Sequence, residues 1–272
     1  MLWAITLTEV VVAELFIGIS GWSYDEWAGN FYPAEVPKSR WLEYYCHQFT
    51  TVEVNASFYR LPRESTFQKW RETTPDGFVF AVKASRYITH IKKLNEPAKS
   101  AELFLSRAKI LGDKLGPVLF QLPPGLKVRL DRLEQILQSR PKDLRYCFEF
   151  RHTSWFCKEV YDLLRRYNTA LCIADSPKFP LVIQRTADFS YFRLHGSPIL
   201  YRSRYSSGEL KAWAERIERY LDEGADVYVY FDNTDEGHAT TNALELASLL
   251  SQRVELRIPQ VKYPIQGQLP LC

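Results

Sequence analysis

Eight short runs of Val, Ile, Leu, Phe and Tyr are spaced along this chain, and between most of them lie stretches with apolar residues at helical intervals. No other feature limits the fold so tightly. The runs are FIGIS (16–20), TVEVN (51–55), FVFAVKA (78–84), VLFQL (118–122), YCFEF (146–150), LCIAD (171–175), YFRLH (191–195) and VYVYF (227–231). β-branched and aromatic residues in runs of this length suit strands. The intervening spacing predicts helices over 39–49, 65–73, 97–112, 129–139, 157–167, 209–222 and 239–251. Ser39 and Ser65 are expected as caps, Pro97 in a first turn and Gly224 as a stop. The segment 176–190 has no clear helical pattern.

Strands that alternate with helices form parallel sheets, because a parallel neighbour needs a long crossover. About eight such units in 272 residues fit an α/β chain closed as a (β/α)8 TIM-type barrel, with an irregular connection after strand six. An open doubly wound sheet would announce itself with a glycine-rich first turn. Here GISGWSYDEWAGNFYP follows the first strand without GxGxxG spacing, and there is no GxxxxGK[ST] sequence. One barrel domain is expected over 16–252, preceded by an N-terminal extension over 1–15 and followed by an extended, Pro-punctuated tail over 253–272.

Lys plus Arg total 35 against 32 for Asp plus Glu, an excess too small to argue for a nucleic-acid surface. Cys46, Cys147, Cys157, Cys172 and Cys272 form no CxxC pair and are odd in number, which points to reduced thiols in a cytoplasmic protein. The opening MLWAITLTEVVVAELF is interrupted by Glu9 and Glu14. It is too short and too charged to span a bilayer, so no membrane association is expected.

The strand ends carry the chemistry. Inward-facing residues of a barrel alternate with outward-facing ones, and those near the C-terminal mouth are free to do more than pack. Strand two offers Glu53 and Asn55; strand three offers Lys83, with His90 in the next loop. Gln121 ends strand four, Glu149 and Arg151 strand five, Asp175 strand six, Arg193 and His195 strand seven, and Asn233 follows strand eight. Carboxylates in a lumen need cations close by, since an unpaired buried charge costs several kcal/mol. The alternative to a site is an internal salt-bridge network that fills the barrel. Trp22, with Trp27, Phe31 and Tyr32, reads either as an aromatic wall above the mouth or as a plug in it. Tyr205, Arg202 and Arg204 lie in a long loop after strand seven, a common place for anion recognition.

The segments IGISGWSYDEWAGNFYP, TVEVNASFYRLP, FVFAVKASRYITH, KLGPVLFQLPP, FEFRHTSWF, YFRLHG and VYVYFDNT resemble the signature blocks of the YecE-like family, catalogued as a domain of unknown function. The blocks run in order from about residue 16 to about 250. The resemblance implies a TIM-type barrel and supplies no established reaction. The family's typical polar set falls on Glu53, Asn55, Lys83, His90, Gln121, Glu149, Arg151, Arg193, His195 and Asn233.

The preferred reading is an enzyme doing hydrolase- or lyase-type acid–base chemistry on a polar, anionic substrate, phosphorylated or sugar-like. Glu53, Glu149 and His195 are the expected catalytic groups. Lys83, Arg151 and Arg193 would hold negative charge, and Asn55, Gln121 and Asn233 would orient the substrate, with His90, Asp175, Tyr205 and Trp22 around it. No cofactor is required by this reading. A second reading is a divalent-metal-dependent barrel isomerase or nuclease-like enzyme using Glu53, Glu149, Asp175, His90 and His195 as ligands. A third is a nucleic-acid-binding or repair protein with Lys92, Lys93, Arg202 and Arg204 around an aromatic mouth.

Overall fold

Each of the eight apolar runs forms a strand in a computed structural model, which describes residues 13–251. The strands are β1 (Leu15–Ser20), β2 (Thr51–Val54), β3 (Val79–Lys83), β4 (Leu115–Gln121), β5 (Tyr146–Glu149), β6 (Ala170–Asp175), β7 (Phe189–Leu194) and β8 (Asp226–Phe231). All pair in parallel in chain order, and β8 returns to β1 to close the barrel. Residues 1–12 of the extension expected over 1–15, and the tail over 253–272, lie outside the described residues; Leu15 opens β1.

Helices make the crossovers: α1 (Trp41–Tyr45), α2 (Ala56–Tyr59), α3 (Glu64–Thr73), α4 (Pro97–Ala108), α5 (Leu130–Gln138), α6 (Lys158–Arg166), α7 (Ser207–Asp222) and α8 (His238–Ser251). The two serine caps are not realised. Arg40 precedes α1, and Ser65 lies inside α3. A reciprocal cap forms instead at Ser206, whose hydroxyl accepts from the Glu209 amide while the Glu209 carboxylate accepts from the Ser206 amide. As expected, no helix follows β6. Pro177 and Pro180 interrupt the segment. The Thr186 hydroxyl pins it by donating to the Thr169 carbonyl (2.7 Å) and accepting from the Leu171 amide (2.8 Å).

Alternation then sorts the side chains. Ile17, Ile19, Val52, Val54, Phe80, Val82, Phe120, Phe148, Ile173, Phe192 and Val229 pack outward against the helices. Phe16, Ala81, Leu119, Cys147, Cys172, Tyr191, Tyr228 and Tyr230 fill the lumen. Phe16 stacks on Tyr228 with ring centroids 4.7 Å apart. Gly18 is dictated by this crowding, since a Cβ there would meet the Thr51 carbonyl oxygen at 2.2 Å. Cys46, Cys147 and Cys172 are buried free thiols, and burial raises the pKa of all three. The apolar filling stops about two residues short of the C-terminal strand ends, and the same inward phase continues there in polar side chains.

Candidate functional site

Arg193 stands at the centre of the mouth, 1% exposed, with its guanidinium shared among three carboxylates. Its Nε donates to both Glu53 oxygens (3.2 and 3.0 Å) and its Nη2 to Glu53 Oε1 at 2.9 Å. Nη1 donates to Glu149 Oε2 at 2.7 Å, and Nη2 also donates to Asp232 Oδ2 at 2.8 Å. Glu53 is completely enclosed: Ser20 Oγ donates to Oε1 (2.6 Å) and Tyr191 OH to Oε2 (2.7 Å). Glu149 also accepts from Arg151 Nε at 2.6 Å and from Gln121 Nε2 at 3.3 Å. Burial pushes the Glu149 carboxyl up, but Arg151 and Arg193, helped by His195 and Lys83, outweigh it and hold the group well below the usual carboxylate range.

His195 is neutral, and its tautomer follows from its neighbours. Nε2 has Arg193 Nη1 at 2.9 Å, which can only donate, and Asp232 Oδ2 at 3.3 Å, which can only accept; the shorter contact makes Nε2 the acceptor. The proton therefore sits on Nδ1, 3.2 Å from the Asp175 carbonyl oxygen. Burial and then the Arg193 charge lower the pKa to about 3. Glu53, Glu149 and Asp232 are thus set against Arg193, Arg151 and Lys83, three charges of each sign with His195 neutral.

Two of those cations have unused capacity. The Lys83 ammonium has no hydrogen-bond acceptor and no ion-pair partner among the described residues, and it lies 4.5 Å from the centre of the Phe58 ring. Burial, then Arg193, lower its pKa to about 8 against the pull of Glu149, Glu53 and Asp232. Arg151 uses only Nε on Glu149; among the described residues its two terminal nitrogens have no partner, and its guanidinium rests 4.2 Å from the centre of the Phe179 ring. His90 meets Phe58 edge-on at 5.0 Å and bonds the Thr89 hydroxyl through Nδ1 at 2.9 Å. Burial, Lys83, Arg151 and Arg86 lower its pKa to about 4. Phe58 is placed by α2, which the Ser57 hydroxyl ties to the Lys83 carbonyl (2.7 Å).

The structure therefore brings together Glu53, Lys83, Gln121, Glu149, Arg151, Arg193 and His195, with His90 and Asn55 beside Lys83. It does not bring in Asp175, Asn233 or Tyr205. The inward phase of β6 runs through Cys172 and Ala174, so Asp175 points outward, where Tyr205 OH donates to its Oδ2 at 2.8 Å. The inward phase of β8 runs through Tyr228, Tyr230 and Asp232, so Asn233 is out of step. Its Nδ2 binds the Ser203 carbonyl (3.0 Å) and Asn242 Oδ1 (3.1 Å). Tyr205 OH accepts from the Gly196 amide at 3.0 Å, locking the loop after β7. Trp22 is half-buried edge-on to Trp70 at 5.3 Å, while Trp27 and Tyr32 are fully buried and plug the first loop rather than wall the mouth. Asp232, Ser20, Tyr191 and Phe58 were not expected. Period-two counting from Arg193 and through VYVYFD finds Tyr191 and Asp232.

The candidate metal ligands do not converge. Asp175 faces away, His195 turns its lone pair to Arg193, and Glu53 and Glu149 are taken by guanidinium groups. No group of three or more His, Cys, Asp and Glu among the described residues could hold a metal ion. Arg202 and Arg204 are each paired with a carboxylate, Glu236 and Glu245. No described helix is long and apolar enough to cross a membrane.

A family model described as "Protein of unknown function DUF72" matches residues 16–264. The protein YunF of Bacillus subtilis is 26% identical over 269 residues, covering 87% of this chain and 94% of that one. YecE of Escherichia coli K12 is 32% identical over 145 residues, 53% of this chain and 51% of its own. The crystal structure of a DUF72 protein from Thermotoga maritima superposes with a TM-score of 0.80 at 31% identity, covering 88% of this chain and 99% of that one. An Enterococcus faecalis DUF72 structure, 20% identical and covering 87% and 95% of the two chains, superposes at 0.69 and shares the fold. With the closed eight-stranded barrel and the match over nearly its whole length, this chain belongs to the DUF72 family of YecE-like proteins.

Proposed function

We propose that the C-terminal mouth of the barrel is the active site of an enzyme that binds a small polar anion and moves protons on it, by hydrolase- or lyase-type chemistry. The observation that carries this reading is the unspent cationic pair. Lys83 and Arg151 sit at the mouth with donors to spare, over a floor in which every carboxylate is already engaged. A guanidinium with both terminal nitrogens free matches a carboxylate or phosphate by two parallel hydrogen bonds. A lysine with a pKa of about 8 changes protonation state close to neutral pH, as a general acid or base must.

The roles divide accordingly. Lys83 carries the proton. Glu149 stays ionised and acts as a positioning residue, aiming Arg151 and Arg193. Glu53 holds Arg193, and neutral His195 accepts from it. This differs from an assignment of proton transfer to Glu53, Glu149 and His195: the neighbours of Glu149 and His195 hold each in one charge state, and both oxygens of Glu53 are taken up by hydrogen bonds from Ser20, Tyr191 and Arg193. The test is a thermal-shift screen of small carboxylates, phosphate esters and sugar phosphates. Anions should raise the melting temperature of the wild type, and R151M should lose at least about tenfold in affinity, the worth of one charged hydrogen bond. A screen in which no anion stabilises the wild type would refute the proposal.

A further inference from the structure

We propose that Lys83 is a covalent catalyst: its side-chain nitrogen attacks the carbonyl carbon of an anionic aldehyde, ketone or 2-oxo acid and forms an imine. This rests on the mouth being the reaction site and deepens it by naming the electrophile. The argument begins with what surrounds the amine. Lysine ammonium groups normally end in water or on a carboxylate. Lys83 is 7% exposed, has no carboxylate at ion-pair distance among the described residues, and sets its nitrogen 4.5 Å from the centre of the Phe58 ring.

The charged groups that act on it are Arg193 on β7, Glu149 on β5, Glu53 on β2 and Asp232 after β8; His90, its pKa lowered to about 4, lies beside it as a neutral ring. Buried beside a second cation, an amine gives up its proton more readily, and the neutral amine is the nucleophile. At a pKa of about 8, about a tenth of the molecules carry the neutral amine at pH 7. For an ordinary lysine the fraction is roughly three in ten thousand.

The rest of the mouth fits the chemistry. Arg151 offers its two free nitrogens to the carboxylate or phosphate of the substrate. Asn55 follows Val54, whose register partner Val82 precedes Lys83, so the two polar residues stand side by side. The Asn55 amide oxygen is buried without a partner among the described residues and is the acceptor that a carbinolamine hydroxyl needs. The step balances without a co-reactant. The nitrogen forms a bond to the carbonyl carbon, the carbon–oxygen bond breaks, and the oxygen leaves as water with two of the three ammonium protons. The product is an iminium that keeps the positive charge and draws electrons from the neighbouring carbon bond. That sink suits carbon–carbon cleavage, decarboxylation or β-elimination, which are lyase reactions.

The experiment traps the iminium by reduction. The full chain is incubated at pH 7 with pyruvate, 2-oxoglutarate or glyceraldehyde 3-phosphate, with and without cyanoborohydride, and the modified peptide is located by mass spectrometry. At least one probe should modify Lys83 about tenfold faster than any exposed lysine, with propanal, which lacks an anionic group, showing no such preference. K83R keeps the charge and should lose the adduct. Adducts spread over surface lysines alike in wild type and K83R, with none at Lys83 for any probe, overturn the imine. If malonate or phosphate still stabilises the protein in that case, only the imine falls. If no anion stabilises it, the reading of the mouth falls as well.

Discussion

Replacing Lys83 by methionine should make the protein more stable, and the size of the gain can be worked out. Folding takes most of this side chain out of water and gives its ammonium no acceptor among the described residues, lowering its pKa from 10.5 to about 8. Each tenfold change in a protonation equilibrium is worth about 1.4 kcal/mol, so the charged lysine costs the folded state about 3 kcal/mol. The folded pKa lies below the unfolded one, so the cost is paid in full below pH 8. Between pH 8 and 10.5 the unfolded chain still binds the proton while the folded chain does not, and the cost fades as pH rises. Methionine matches the side chain in length, carries no charge and packs well against the Phe58 ring. K83M should therefore exceed the wild type by about 2–3 kcal/mol at pH 7, roughly 5–10 °C in melting temperature for a domain of this size. The gap should close towards pH 10.5. Urea unfolding followed by tryptophan fluorescence at pH 7, 8, 9 and 10 measures it. A variant less stable than wild type at pH 7, or a gap that stays constant with pH, would show that Lys83 does not carry a buried, uncompensated charge. Stability surrendered at one side chain is the usual mark of a residue kept for function.

Two further perturbations probe the floor. R193M strands Glu53, Glu149 and Asp232 and should cost about 3–5 kcal/mol at pH 8. The deficit should shrink towards pH 5 as the freed carboxylates take up protons, which calorimetry at the two pH values would reveal; equal deficits would contradict the shared-guanidinium geometry. His195, with a pKa lowered to about 3, should show the spectrum of a neutral, Nδ1-protonated imidazole at pH 5 in nitrogen-15 NMR. Because the unfolded side chain protonates near 6.5, this group withdraws stability as pH falls from 6.5 towards 3, and H195Q should lack that component. An imidazolium signal at pH 6 would overturn the assignment.

The strands were legible because their length and composition leave little else for them to form, and the barrel followed from their alternation with helices. The site was legible only in part. Glu53, Lys83, Glu149 and Arg193 interrupt apolar runs in phase with their inward neighbours, which marks them as lumenal. At β8 the reading slipped by one residue, taking Asn233 where Asp232 holds the phase, and one residue is enough to turn a side chain to the other face. Asp175 was misplaced for a related reason: β6 is ALCIAD, with small or apolar residues on both faces before Asp175, so its alternation carries no direction. Phe58 escaped notice because α2 spans only Ala56–Tyr59, one turn, too short for any helical period to show. That Arg193 reaches Glu53, 140 positions away in the chain, is a property of barrel closure that no local pattern contains.

The charge balance of the mouth argues for one more link between its parts. With Lys83 protonated, the six charged groups cancel; with Lys83 neutral, the cluster carries one net negative charge and opposes an incoming anion. An anion bound at Arg151 must therefore raise the affinity of Lys83 for its proton, and a protonated Lys83 must by the same factor raise the affinity for the anion. For simple acid–base work this coupling is a hindrance, since the substrate recharges the base it needs. An iminium removes the conflict, because its positive charge is covalent and does not leave with a proton. Anion binding and imine formation then reinforce each other, and a buried lysine without a carboxylate partner becomes the arrangement that lets both occur at once.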